Sequence, residues 1–135
     1  MQAEKVGNEY SLLVFGAPKS VNAKSKKSKR ALRGYKKKVA NLAKSIFRNL
    51  LSSETKVQIY HFHKGTTVDL NNISKPIIDS LIGIAYNDDN TVGDIRLIRI
   101  NLNNPRTIRN ITSPLIPEAI ARSRECVVII IKPLE

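Results

Sequence analysis

The run "CVVIII", residues 126–131, constrains the fold more than any other stretch. Six consecutive apolar residues, five of them β-branched, are bounded by Glu125 on one side and Lys132-Pro133 on the other. That is too short for an ordinary helix and fits a buried β-strand. Strand signals recur upstream. "EYSLLVFGAP" reads as a strand that ends at Gly16 and Pro18. "KVQIYHFHKG" places Val57, Ile59, His61 and His63 on one face and Gln58, Tyr60 and Phe62 on the other. A turn at Gly65-Thr66 follows it. "TVGDIRLIRINLN" alternates as a further strand and carries Arg96 and Arg99.

Helical periodicity lies between these segments. Leu32, Tyr35, Val39, Leu42, Ile46 and Leu50 recur in steps of three and four, which predicts a helix over about 29–51. The preceding residues, about 23–30, have no period and predict a mobile loop. A shorter helix is expected to run to about Ile82, with Ile73, Ile77, Ile78 and Leu81 inward. Asn71, Asn72 or Ser74 would cap it, and Pro76 is tolerable only near its start. Residues 103–124 hold three prolines and read as irregular, with a short helix at "PEAIARS". The order β-α-β-α-β-β, with no repeat and no linker, predicts one α+β domain over 1–135. Its mixed sheet would have helices packed on one side.

A chain of 135 residues, 41% of them apolar, can bury a core without staples. It has no long apolar run and no secretory segment, so the expectation is a soluble cytoplasmic protein with no membrane partner. The lone Cys126 is expected to pack as a small hydrophobe.

Charge gives the first functional indication. The net charge is +12, and of 23 basic residues twelve fall between 19 and 48, where there is no acid. The remaining eleven balance the eleven acids. A solvated surface would explain such a run, but a phosphate-binding arm and helix explains it better. Its contacts would be Lys24, Lys26, Lys27, Lys29, Arg30, Arg33, Lys36, Lys37 and Lys38. Tyr35 and Phe47 read as core rather than as stacking platforms.

Against this basic background, carboxylates gather around one helix: Asp69 at its entry, Asp79 within it, and Asp88-Asp89 in the loop beyond. Taken singly, "NDDN" is a turn, Asp69 a helix-entry residue, and Lys75 with Asp79 an exposed i,i+4 pair. Taken together they could hold Mg²⁺, which needs only one or two carboxylates plus water and phosphate oxygens. Such an ion activates water and neutralises charge in phosphodiester cleavage, with Lys75 on the phosphate. His61 and His63 sit just before Asp69, as polar residues of a sheet edge or interface or as ligands. One distant cysteine gives zinc no support.

"DLNNISKPIIDSLIGIAYNDDNTV" resembles the signature of RusA-type Holliday junction resolvases, through Asp69, Asn72, Lys75, Asp79, Leu81, Gly83, Asp88, Asp89 and Val92. The likeness extends more loosely over the first strand and basic segment, to about residue 102. It implies a homodimeric α+β endonuclease, nucleoid-associated, that binds branched DNA at four-way junctions in recombination and repair. It further implies Mg²⁺ or Mn²⁺ and no small-molecule cofactor. Asp69 and Asp89 would be ligands, Asp88 their neighbour, and Lys75 the catalytic cation. One position departs: Asn71 stands where the family has a second aspartate. Its oxygen can ligate a hard cation but carries no charge and cannot act as a base. Compensation would have to come from Asp79, on the helix, or Asp94, on the next strand, and neither is placed at the missing position. The alternatives are a junction-binding protein that no longer cuts and a basic RNA-binding protein.

Overall fold

The computed structural model describes residues 2–65, 69–104, 108 and 111–134. Its elements are β1 (Ala3–Val6), β2 (Glu9–Phe15), α1 (Lys26–Lys44), β3 (Thr55–His63), α2 (Leu70–Ser80), β4 (Val92–Asn101), α3 (Leu115–Arg122) and β5 (Cys126–Pro133), with a 3₁₀ turn Asp89–Thr91 before β4. One mixed sheet runs in the order β1-β2-β5-β3-β4. Among its described strands β3 and β4 pair in parallel and the other pairs are antiparallel, and α2 makes the β3–β4 crossover.

The apolar run 126–131 is the central strand, and every residue of it is buried. Its alternate residues feed two cores. Val127, Ile129 and Ile131 pack with Leu12, Val14, Val57 and Ile59 beneath α1 and α2. Val128 and Ile130 pack with Leu13, Tyr60 and Phe62 beneath Leu115, Ile116 and Ala119 of α3. The α+β domain therefore has helices on both faces, where the sequence reading put them on one. The short α3 supplies the second layer. Cys126 is buried in this second core, and burial pushes its thiol up to about 12.

α1 starts earlier than expected. Ser25 caps it by accepting from the Ser28 amide at 3.0 Å, and Ser28 closes a reciprocal box on Ser25. The Lys-rich stretch from 26 is thus helix rather than loop. α1 also ends earlier. The chain turns off after Lys44 so that the Phe47 ring can stack on Tyr10, with centroids 3.9 Å apart. Leu50 then lies outside the helix and is 42% exposed. Tyr35 and Phe47 are core, as expected.

α2 runs over the expected span, with Ile73, Ile77, Ile78 and Leu81 inward. Its cap is Asp69, whose carboxylate accepts from the Asn71 amide at 2.9 Å. Pro76 is the seventh helical residue, deeper than the sequence reading allowed. A proline there has no N–H for the carbonyl four residues back, that of Asn72. The Val21 amide fills the gap by donating to Asn72 O at 2.8 Å. The substitution thus ties the basic 16–25 loop onto α2.

One end of the sheet carries the Asp69 cap and the basic loop, whereas Asp88 and Asp89 precede β4 at the other end, where Val92 pairs with Thr55. At the Asp69 end β2 and β3 finish and β5 begins, with Phe15 and Phe62 opposite Cys126, and His63 opposite Asn101 at the end of β4. The loops into α1 and α2 leave from the same end. No helix among the described residues is long and apolar enough to cross a membrane. The expected turn residue Thr66 lies outside the described residues, as does Pro105 of the three-proline stretch.

Candidate nuclease site and nucleic-acid interface

The carboxylates divide into two groups. Asp69, at the α2 cap, lines an open cleft of about 500 Å³ with Leu70, Asn71 and Arg99. Its second oxygen has no partner among the described residues. Arg99 reaches this cleft from β4, where it lies opposite His61 of β3.

The second group forms alongside α2. Tyr86, fully buried, donates its hydroxyl to Ile78 O at 2.6 Å and pins the loop after α2 against the helix. Gly83 permits the tight return: its φ is +82°, and its amide donates to Tyr86 O at 2.7 Å. Asp88 and Asp89 then lie where Asp89 feels both Lys75 and Asp79. Lys75 and Asp79 pair at 3.4 Å, as their i,i+4 spacing suggested.

The acid pair is electrostatically uneven. A hydrogen bond from the Asn90 amide, then one shared with the Asp89 side chain, hold Asp88 below the ordinary carboxylate value. Asp89 is held above it, first by its hydrogen bond with Asp88 and then by slight desolvation and the Asp88 charge, against the pull of Lys75. Among the described residues no three His, Cys, Asp or Glu side chains form a metal-holding group. The structure therefore does not bring Asp69 together with Asp88 and Asp89. Asp94 is engaged elsewhere, 3.9 Å from Lys56 and 3.6 Å from Arg96.

The basic residues form a surface on the Asp69 end of the sheet. Lys24, Lys26, Lys27, Lys29, Arg30, Arg33, Lys37 and Lys38 are exposed and Lys36 half-buried. The first turn of α1 carries no acid, so its positive end is uncompensated. A groove of about 540 Å³ runs there past Lys19, Asn22, Lys24, Ser25 and Lys27.

The sequence profile of the family Endodeoxyribonuclease RusA matches residues 12–112. The chain belongs to the RusA family. No curated protein matches the sequence significantly. Among solved structures, the chain has a TM-score of 0.45 with the periplasmic domain of Helicobacter pylori MotB, at 12% identity over 98% of this chain and 88% of that one. With the OmpA-like domain of Francisella tularensis FopA1 the TM-score is 0.31, at 13% identity over 98% and 80%. Neither likeness bears on function.

RusA proteins are Mg²⁺-dependent as a rule, and the donors present are of the type such an ion takes, though they stand in two separate groups. Asp69, Asn71, Asp88 and Asp89 offer only hard oxygens, and the Asp88–Asp89 pair is a crowding that a cation relieves. The fit is weaker at Asn71, which contributes no charge.

Two features escaped the sequence reading. Arg99 was read only as added positive charge, because its place beside Asp69 depends on the parallel β3–β4 register. His61 was expected at an edge or interface, yet β3 lies between β5 and β4 and His61 is 1% exposed. Its Nε2–H donates to Glu125 Oε2 at 2.9 Å. Burial holds the imidazole below its ordinary value despite the upward pull of Glu125, so the ring is neutral at pH 7. Only alternate-strand pairing with β5 brings Glu125 to it.

Proposed function

We propose that this protein is a Mg²⁺- or Mn²⁺-dependent, structure-selective endonuclease that resolves four-way DNA junctions. The observation that carries the reading is the Asp88–Asp89 pair, with Asp89 within electrostatic reach of the Lys75–Asp79 pair of α2, in a chain of the RusA family. Asp88 and Asp89 would hold the ion; Asp69 and the Asn71 oxygen, which stand apart from them, would complete the set only where bound metal and phosphate draw the two groups together. When bound, it supplies an activated water and neutralises phosphate charge.

The chain's own residues set the rest. Lys75, 61% exposed, swings from Asp79 to a phosphate oxygen at little cost, since an exposed i,i+4 pair is worth only about 0.3–0.5 kcal/mol. Arg99 beside Asp69 offers a planar fork to a neighbouring phosphate. The 24–38 surface contacts backbone phosphates, which positions the substrate without reading sequence. Selectivity for a branched, two-fold substrate then rests on shape and on a homodimer with paired sites. Such a protein works in the cytoplasm on nucleoid DNA.

Asn71, and the absence of a three-acid group among the described residues, favour a second reading: a junction-binding protein that does not cut. Incubation of a labelled four-way junction with Mg²⁺, Mn²⁺ or EDTA separates the two. Metal-dependent symmetric nicking that is lost in Asp89→Asn and Lys75→Ala supports the nuclease. Tight binding with no nicking in any metal supports the binder.

A further inference from the structure

Phe15, the last residue of β2, holds three cations around it at the sheet end that carries Asp69 and the basic groove. The Arg124 guanidinium lies over its ring at 4.3 Å from the centroid, and that of Arg122 at 5.9 Å. Lys38 of α1 donates from Nζ to the Phe15 carbonyl at 3.4 Å. The two arginines come from the α3–β5 turn, where Ser123 takes a left-handed backbone (φ +50°) and the Gly16 amide docks on Glu125 O at 2.9 Å. This turn lies beyond residue 112, outside the part of the chain that the RusA profile matches.

The arrangement is more than surface charge. Arg122 and Arg124 are both exposed, yet each guanidinium lies against Phe15. Arg122 is held by Glu118, its Nε donating to Oε1 at 2.8 Å. Arg124 makes no ion pair among the described residues, and its charge rests on the Phe15 face. A guanidinium stacked on a ring keeps its in-plane N–H donors pointing outward, is weakly hydrated, and loses little freedom on meeting a phosphate. Lys38 links this point to the basic face of α1, so positive charge runs from the α1 groove across Phe15 to the far layer of the sheet.

We infer that Arg124, seated on Phe15 and flanked by Arg122, is a second phosphate-contacting surface that takes the backbone of a DNA arm leaving the α1 surface. It rests on the nucleic-acid reading above. It extends the interface to the α3 face, so that a branched substrate meets cations on both layers where a linear duplex meets one.

The test is equilibrium binding of the full chain to a four-way junction and to a linear duplex, across salt, with metal chelated. Arg124→Ala should weaken junction binding about 10-fold and lower the log–log salt slope by about 0.9, the loss of one charged phosphate contact. Its effect on duplex binding should be smaller. Arg124→Lys should recover the slope but not the full affinity, and Phe15→Leu should behave like Arg124→Lys. Lys5→Ala, the same charge change on exposed β1, sets the baseline. If Arg124→Ala does no more than Lys5→Ala while Lys26→Ala weakens binding, this surface is refuted and the α1 interface stands. If the unaltered protein binds no DNA, the functional reading falls and this inference with it.

Discussion

Tyr86→Phe isolates the contact that shapes the acidic loop. The ring is fully buried and its hydroxyl donates to Ile78 O at 2.6 Å. The phenylalanine keeps the ring packing and removes only the hydrogen bond. Ile78 O is not stranded, because the Leu81 amide also donates to it at 3.2 Å. The cost should therefore be the net value of one hydrogen bond, about 1 kcal/mol, without the added penalty of a buried unpaired acceptor. For 135 residues, at about 2.1 cal/mol/K of unfolding entropy per residue, that lowers Tm by roughly 3–4 °C. Tyr86→Ala should instead cost about 3–5 kcal/mol, because it empties the ring's space as well. Thermal and urea unfolding measure both, and Mg²⁺ titration of the folded Tyr86→Phe variant should show weaker binding as the Asp88–Asp89 loop loosens. Equal losses for the two variants, or unchanged metal binding in Tyr86→Phe, would refute the role given to this contact.

Three further outcomes follow from the same geometry. Asp89 is held up chiefly by its hydrogen bond with Asp88, so Asp88→Asn should lower the Asp89 midpoint in a side-chain NMR titration; in the unaltered protein, metal affinity should fall as pH drops through that raised value. Ser25→Ala breaks the α1 capping box and should cost about 1 kcal/mol, seen as a lower urea midpoint at constant m. The double variant Lys26→Ala/Lys27→Ala should reduce the salt slope of DNA binding by about 1.8, equally for different sequences.

The strands were legible because β-branched alternation survives burial on either face. β1 was not, since its four residues include Glu4 and Lys5 and it is paired only with β2 at the sheet edge. The start of α1 was hidden because "KSKKSKR" has no apolar period and its signal is two serines three apart. Its end was overrun because Ile46 and Leu50 continue the spacing after the backbone has turned to seat Phe47 on Tyr10. Pro76 was placed too near a helix start because its compensation, the Val21 amide, comes from a loop fifty residues upstream. At the candidate site the residue types and motif were readable, and the distances were not. Asp69 faces Arg99 through strand register, while Asp89 faces Lys75 through a loop folded onto Tyr86. Neither relation is local in sequence.

The most direct measurement is cleavage of a labelled four-way junction in Mg²⁺ by the unaltered protein and by Asn71→Asp. The expected result is slow symmetric nicking by the first and faster nicking by the second, both abolished by EDTA. Silence from both, under conditions where the junction is bound, would contradict it.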